Sequence, residues 1–202
     1  MSNTCIETIK IENGTIFNLD EHNHRCNHTR RELYQAEDTI DLTRYICPPK
    51  SKGVFRCRIT YDKKIHNVEY FPYQTKIFQH FKLVDGGEID YHFKYANRSL
   101  IEGLKTHAKG FDEIIILKNN YLTDTSIANI AFYDGSYWIT PQDPLLRGTM
   151  REKLLKHHKL ITKPIKTEDL KHFSHFALMN AMIGFQLQKN PTIHSNKEII
   201  CL

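Results

Sequence analysis

The dipeptide Asn13-Gly14 constrains the start of this chain more than any other feature. Ile9 and Ile11 precede it at alternate positions, and Ile16 and Leu19 follow. An Asn-Gly pair between such stretches predicts a β-hairpin with a tight turn, because both central residues must take positive φ. A second alternating stretch, Val54 to Tyr61, turns at Asp62-Lys63-Lys64 and returns from Ile65 to Phe71. Between the hairpins Asp20 reads as the cap of a helix running to about Ile40, and Pro48-Pro49-Lys50-Ser51-Lys52-Gly53 reads as a loop.

The second half has another rhythm. Residues 72–87 are mixed and read as the crossing between two lobes. Tyr91 to Lys94 ends a strand, and Ser99-Leu100-Ile101-Glu102 forms a capping box for a helix that stops at Gly110. Glu113 to Leu117, Ser126 to Tyr133 and Ser136 to Thr140 read as strands, separated by Asn119-Asn120 and Asp134-Gly135 turns. Thr149-Met150-Arg151-Glu152 is a second capping box, opening a helix to about His158. Phe176 to Phe185 is a last strand-like run. The expectation is an α+β protein of two unequal lobes, a smaller one over residues 1–85 and a larger one over residues 86–202.

Composition removes several classes. No apolar run approaches the roughly 20 residues of a membrane-spanning helix, and mean hydropathy is −0.50. The segment Met1 to Thr8 lacks the basic and apolar regions of a secretory signal, so a soluble cytoplasmic chain is expected. The 28 basic residues outnumber the 23 acidic ones to give +5, but both are spread along the chain. Nucleic acid is therefore not the expected partner, whereas a small anionic substrate or cofactor fits. Five cysteines, an odd number with no Cys-x-x-Cys, read as reduced thiols. The segment His22-Asn23-His24-Arg25-Cys26-Asn27-His28 resembles a metal site only if it were a strand. The helix-like run after it favours a solvated His-rich helix start, and no metal is expected.

Three local signals carry chemistry. Lys94 lies among Tyr91, Phe93 and Tyr95, where desolvation would lower its pKa as Schiff-base chemistry requires; the plain alternative is a snorkelling surface lysine. Gly148-Thr149 opens a helix and offers backbone N–H groups, a hydroxyl and the positive dipole end to a phosphate; the plain alternative is an ordinary N-cap. Asp124 stands just before an apolar strand, where a turn aspartate is the usual case.

Taken in order along the chain, these parts resemble the class IV aminotransferases. These are fold-type IV pyridoxal-phosphate enzymes that include branched-chain and D-amino-acid aminotransferases and 4-amino-4-deoxychorismate lyase. Ile6-Glu7-Thr8 resembles the family's Phe-Glu-Thr strand, and His22-Asn23-His24-Arg25 its His-x-x-Arg. Lys94-Tyr95-Ala96-Asn97-Arg98 resembles the segment bearing the cofactor lysine. Asp124 to Asn129 matches an acid followed five residues later by Asn, with Asp where most members carry Glu. Pro144 to Arg151 resembles the start of the phosphate-cup helix, and Asn180-Ala181-Met182 a segment of the lyases.

The resemblance implies a two-lobed D-amino-acid aminotransferase-like fold, with pyridoxal 5'-phosphate in the interlobe cleft of a homodimer. It implies Lys94 as the Schiff-base lysine and the group that shuttles the substrate Cα proton, and Asp124 as the partner of the pyridinium nitrogen. Arg25 would clamp the phosphate with Thr149, Gly148 and the N–H groups near Ile127 and Ala128, leaving the histidines as scenery. Arg56 and Arg58 would hold a substrate carboxylate, at least one of them open to reading as a plain surface arginine. Asn180 and Ala181 would lie by an amino-acid-like substrate. Thr8 stands where the lyases carry a hydroxyl that assists proton transfer. Thr8 and Asn180-Ala181 lean toward the lyase, which expels pyruvate and yields 4-aminobenzoate. A D- or branched-chain aminotransferase stays open, as does a cofactor-binding protein without turnover. The family's usual leader before the Phe-Glu-Thr strand is not seen, which leaves specificity open.

Overall fold

The computed structural model describes residues 4–196 and 198–202, so Met1-Ser2-Asn3 of the N-terminal segment read above lie outside the described residues. Two compact units result: residues up to Thr75 with Phe93–Asn97, and Lys76–His92 with Arg98–Leu202.

In the first unit, β1 (Cys5–Glu12) and β2 (Thr15–Ile16) form the expected hairpin, with Asn13 at φ 49° and Gly14 at φ 83°. Helix α1 (Leu19–Tyr34) follows, then β3 (Val54–Tyr61) and β4 (Ile65–Pro72). The antiparallel sheet has the order β2-β1-β3-β4, with Glu7 opposite Ile59, Thr8 opposite Arg58 and Lys10 opposite Arg56. The pleat sends Cys5, Glu7, Ile9 and Ile11 to one face and Ile6, Thr8 and Lys10 to the other. The first set is buried with Cys57, Ile59 and Tyr61, and α1 adds His22, Cys26, Thr29 and Arg30 from one stripe.

Helix α1 stops at Tyr34, short of the expected Ile40. Gln35 takes a left-handed conformation, and the N–H of Ala36 bonds the Arg30 carbonyl. Two polar side chains of the helix then claim the following backbone. Asn27 pairs with both backbone groups of Ile40, and the buried Arg30 guanidinium bonds the Asp38 carbonyl and carboxylate. These bonds require residues 38–40 to lie beside the helix instead of extending it.

The second unit is built on a mixed sheet. In chain order its elements are β5 (His80–Asp85), α2 (Ser99–Lys105), β6 (Glu113–Lys118), β7 (Tyr121–Thr125), β8 (Asn129–Tyr133), β9 (Trp138–Pro141) and α3 (Thr149–Lys156). After these come β10 (Ile161–Lys163), β11 (His175–Asn180), β12 (Gly184–Leu187), β13 (Thr192–His194) and β14 (Ile199–Cys201). The strand order is β10-β9-β8-β7-β6-β5-β13-β14, with β11 paired to β8 and β12. Strand β5 runs parallel to both β6 and β13, which places it inside the sheet. It falls in residues read above as a crossing, because a short internal strand has neither alternation nor its own turn signals. Strand β7 likewise precedes the expected Ser126 start, and the expected run from Phe176 to Phe185 is two strands reversed between Asn180 and Gly184, the latter at φ 68°.

Neither capping box forms as read. Arg98 and Gly148 are the N-cap residues of α2 and α3, and neither makes a side-chain cap. The core joins Phe81, Ile115, Ile130, Phe132, Phe176, Leu178 and Ile193. Phe176 is fully buried, stacked on Phe132 at 4.9 Å and edge-on to Phe81 at 5.0 Å. Phe176→Ala is expected to lower stability by about 3–5 kcal/mol, whereas Ile77→Ala, at an 81% exposed position, changes it by less than about 0.5 kcal/mol. Urea unfolding followed by circular dichroism checks both.

Candidate active site

A carboxylate on the inward face of β1 organises the first unit's candidate residues. Glu7 is fully buried and accepts from Arg25 twice, Nε at 2.9 Å and Nη2 at 2.6 Å. His22 Nδ1 lies 2.5 Å from the same carboxylate. Residues 22 and 25 are three apart on α1, so one turn delivers both side chains to one point on the strand. Burial alone would raise the Glu7 pKa, but the Arg25 and His22 contacts outweigh it and hold it at about 2. Burial pushes the His22 pKa down, and the positive charges of Arg25 and Lys94 add to this against Glu7. His22 is therefore neutral, with Nδ1–H donating to Glu7.

Lys94 belongs to this unit and not, as expected, to the second. Its carbonyl accepts from Ile6 N–H at 2.9 Å, Ala96 N–H bonds the Thr4 carbonyl, and Tyr95 bridges Cys5. The segment is thus tied to β1, and the rings of Phe93 and Tyr95 pack on the first unit's core. Tyr91, expected among the aromatic neighbours of Lys94, falls in the second unit. On the other face of the sheet, Thr8 and Arg58 are opposed in register. Arg58 Nε is buried with no hydrogen-bond partner, while Arg56 is exposed and lies over the Phe71 ring at 5.0 Å.

In the second unit β7 ends on a buried carboxylate of different character. Asp124 accepts from Asn129 Nδ2 at 2.7 Å and from Leu146 N–H at 2.9 Å, and Asn129 Nδ2 also reaches the Leu146 carbonyl at 2.8 Å. It has no ion-pair partner among the described residues. Burial raises its pKa to about 6, against the hydrogen bonds from Leu146 and Asn129. Asn129 also explains Gly148: a Cβ built there would lie 2.1 Å from Asn129 Oδ1. Thr149, the first residue of α3, is buried, and its hydroxyl makes no hydrogen bond to the described residues.

The turn between β7 and β8 is held from outside. The buried Glu113 accepts from Ser126 Oγ at 2.9 Å, and Arg98 Nη2 donates to the Ser126 carbonyl at 2.7 Å. The N–H groups of Ile127 and Ala128, expected at a phosphate, face the Thr125 hydroxyl at 3.3 and 3.0 Å. Asn180 is engaged by backbone too. Its Oδ1 accepts from Met182 and Ile183, and its Nδ2 donates to the Ile127 carbonyl, so it braces two turns; Ala181 lies within one of them.

Sequence reasoning passed over Glu7 and His22 as working side chains and missed Glu113. A signal for Glu7 was present: an acid in register with Cys5, Ile9 and Ile11 on an apolar strand face requires a partner. Among the described residues no cluster of His, Cys, Asp and Glu could hold a metal.

The Amino-transferase class IV family model matches residues 4–187. The chain belongs to that family. An uncharacterized protein of Haemophilus influenzae is 41% identical over 182 residues, covering 88% of this chain and 97% of that protein. A crystal structure from Haemophilus somnus, provisionally assigned as a 4-amino-4-deoxychorismate lyase, is 36% identical with a TM-score of 0.84. It covers 91% of this chain and 98% of that one. The PLP-bound form of a hypothetical aminotransferase from Mycobacterium tuberculosis shares the fold, at 15% identity, TM-score 0.77, and coverage of 95% and 81%.

The class IV family is pyridoxal-phosphate dependent, and the mixed α/β architecture is that of its fold-type IV members. Each unit, taken by itself, offers groups of the kind such a cofactor uses. Asp124 is a buried carboxylate with no ion-pair partner among the described residues, its pKa raised despite the more distant charge of Arg151, which suits a protonated ring nitrogen. In the second unit the Thr149 hydroxyl, at a helix N-terminus, and in the first unit the Nη1 side of the Arg25 guanidinium make no hydrogen bond to the described residues, and each is a donor of the type that binds phosphate.

Gly148→Ala is expected to push Asn129 off Asp124 and weaken cofactor affinity about tenfold or more, measured by absorbance titration. Asp124 has a folded pKa of about 6 against 3.8 when unfolded, so its stabilising contribution is complete below 3.8 and lost as pH rises through about 6. The stability of the cofactor-free protein relative to Asp124→Asn should therefore decline over that window and level off above it, as read by thermal unfolding at stepped pH.

Proposed function

We propose that this chain is a pyridoxal-phosphate-dependent lyase that expels pyruvate from 4-amino-4-deoxychorismate and releases 4-aminobenzoate. One observation carries the choice of reaction: the 36% identity to the Haemophilus somnus protein across 98% of that chain. The register that sets Thr8 opposite Arg58 supports it further, since a hydroxyl and a guanidinium then share one sheet face.

In this reading Lys94 carries the cofactor and moves the proton at the substrate Cα. Arg25 and Thr149 hold the phosphate, with Gly148 leaving room for Asn129. Asp124 stays ionised against the ring nitrogen, its raised pKa falling once a cation is beside it. When bound, the cofactor supplies a sink for the electron pair left at Cα. Arg58 is proposed to bind a substrate carboxylate, because its Nε is buried without an acceptor. Arg56 is a weaker candidate, with Phe71 already under it. Thr8 is proposed to assist proton transfer toward the departing fragment. The working form is proposed to be a cytoplasmic homodimer, as the family resemblance implies.

A second reading is an aminotransferase, supported by the fold shared with the Mycobacterium tuberculosis protein. Products separate the two. The lyase reading expects pyruvate and 4-aminobenzoate in equal amounts from aminodeoxychorismate, and no 2-oxo acid from a panel of D- and L-amino acids. The opposite pattern establishes the transaminase, and no product from either leaves a binding protein. Lys94→Ala should abolish turnover, with a fall of at least about a thousandfold, in whichever assay the parent is active.

A further inference from the structure

The guanidinium of Arg25 has five N–H donors arranged along three edges. Glu7 takes the Nε–Nη2 edge with both oxygens, at 2.9 and 2.6 Å. What remains is the Nη1–Nη2 edge, itself a two-pronged fork of the spacing that phosphate oxygens match. Among the described residues no acceptor takes Nη1, so this edge is left unclaimed by them. The Arg25 side chain keeps 13% of its surface exposed, whereas the Glu7 side chain it pairs with is fully sealed.

Glu7 in turn cannot rotate freely. Its carboxylate is fully buried, and His22, three residues from Arg25 on the same helix, bonds its Oε2 at 2.5 Å. His22 Nε2 is buried without a partner, a desolvation penalty that persists because Nδ1 is engaged.

We infer that Glu7, steadied by His22, is a positioning residue that decides which edge of Arg25 is offered to the cofactor phosphate. The inference rests on the reading of Arg25 as the phosphate clamp and adds the residue that aims it. Without Glu7 the arginine would keep its charge but lose its aim, since a buried guanidinium seeks whichever carbonyls lie nearest.

The test compares two ligands that differ only by the phosphate: pyridoxal 5'-phosphate and pyridoxal. Dissociation constants for both are measured by absorbance titration on the purified protein, Glu7→Gln, Arg25→Met and the double variant. Arg25→Met should weaken pyridoxal phosphate about tenfold to a hundredfold, in line with the loss of a charge-assisted fork, and leave pyridoxal within about twofold. Glu7→Gln should do the same in kind, and should add nothing further in the Arg25→Met background.

Equal loss for both ligands in Glu7→Gln, or undiminished loss in the double variant, makes Glu7 a merely structural residue and overturns the inference. Normal binding by Glu7→Gln beside a selective loss in Arg25→Met also overturns it, but leaves the phosphate clamp standing. No selective loss in Arg25→Met removes the clamp and the inference together. Should Glu7→Gln not unfold cooperatively, His22→Asn reads the same ratio, and a ratio equal to the parent's overturns the inference.

Discussion

A carboxylate with no access to water stays fully ionised only if it is paired, and in the first unit that requirement ties strand, helix and the Lys94 segment together. Glu7 occupies a position that the pleat of β1 assigns to the core. Removing one partner of such a buried pair typically costs about 3–5 kcal/mol, because the survivor is left charged in a poor solvent. The helix must then present Arg25 and His22 at the level of Glu7, which sets its rotation and height on the sheet. Cys5 and Ile6, just before Glu7, hold the Lys94 segment through main-chain bonds. One buried charge thus sits beneath two of the family's signature positions.

The second unit answers the opposite problem. Asp124 is buried with no ion-pair partner among the described residues, and hydrogen bonds from Leu146 and Asn129 with the charge of Arg151 offset only part of its desolvation, so its pKa stays near 6. A group left in that condition by the fold is poised to gain from a positive ligand atom, which is what a protonated pyridine provides. The surroundings are correspondingly tight. Asn129 fills the space where any side chain at 148 would go, and Glu113 and Arg98 hold the intervening turn through Ser126. Pre-organisation here comes from side chains bonding backbone, which keeps the turn in place before any ligand arrives.

The legible parts of the fold were those with local causes. Asn13-Gly14 and the alternation about residues 54–71 specify their hairpins because turn conformation and pleat are properties of neighbouring residues. The helix end at Tyr34 was not legible, since the bonds from Asn27 and Arg30 that stop it join residues distant along the chain. Strand β5 was missed for a like reason. Its parallel neighbours, β6 and β13, are 30 and more residues away, and nothing in His80–Asp85 announces them. Among the candidate site residues, Arg25, Lys94, Asp124 and Gly148-Thr149 were visible as residue types in family order. The partners that engage Ile127, Ala128 and Asn180 were not, because hydrogen-bond partners depend on packing.

By itself, then, the sequence determined the family and its cofactor class and nominated candidate residues for that cofactor, since these follow from chemical type and order along the chain. Tertiary structure alone decided which of them have free donors. It set Lys94 with the first unit, joined one carboxylate to both Arg25 and His22, and left Asp124 with no ion-pair partner and the Thr149 hydroxyl with no hydrogen bond among the described residues. Burial and partner geometry exist only once distant segments meet, and they turn a list of capable side chains into ones with defined charge and direction.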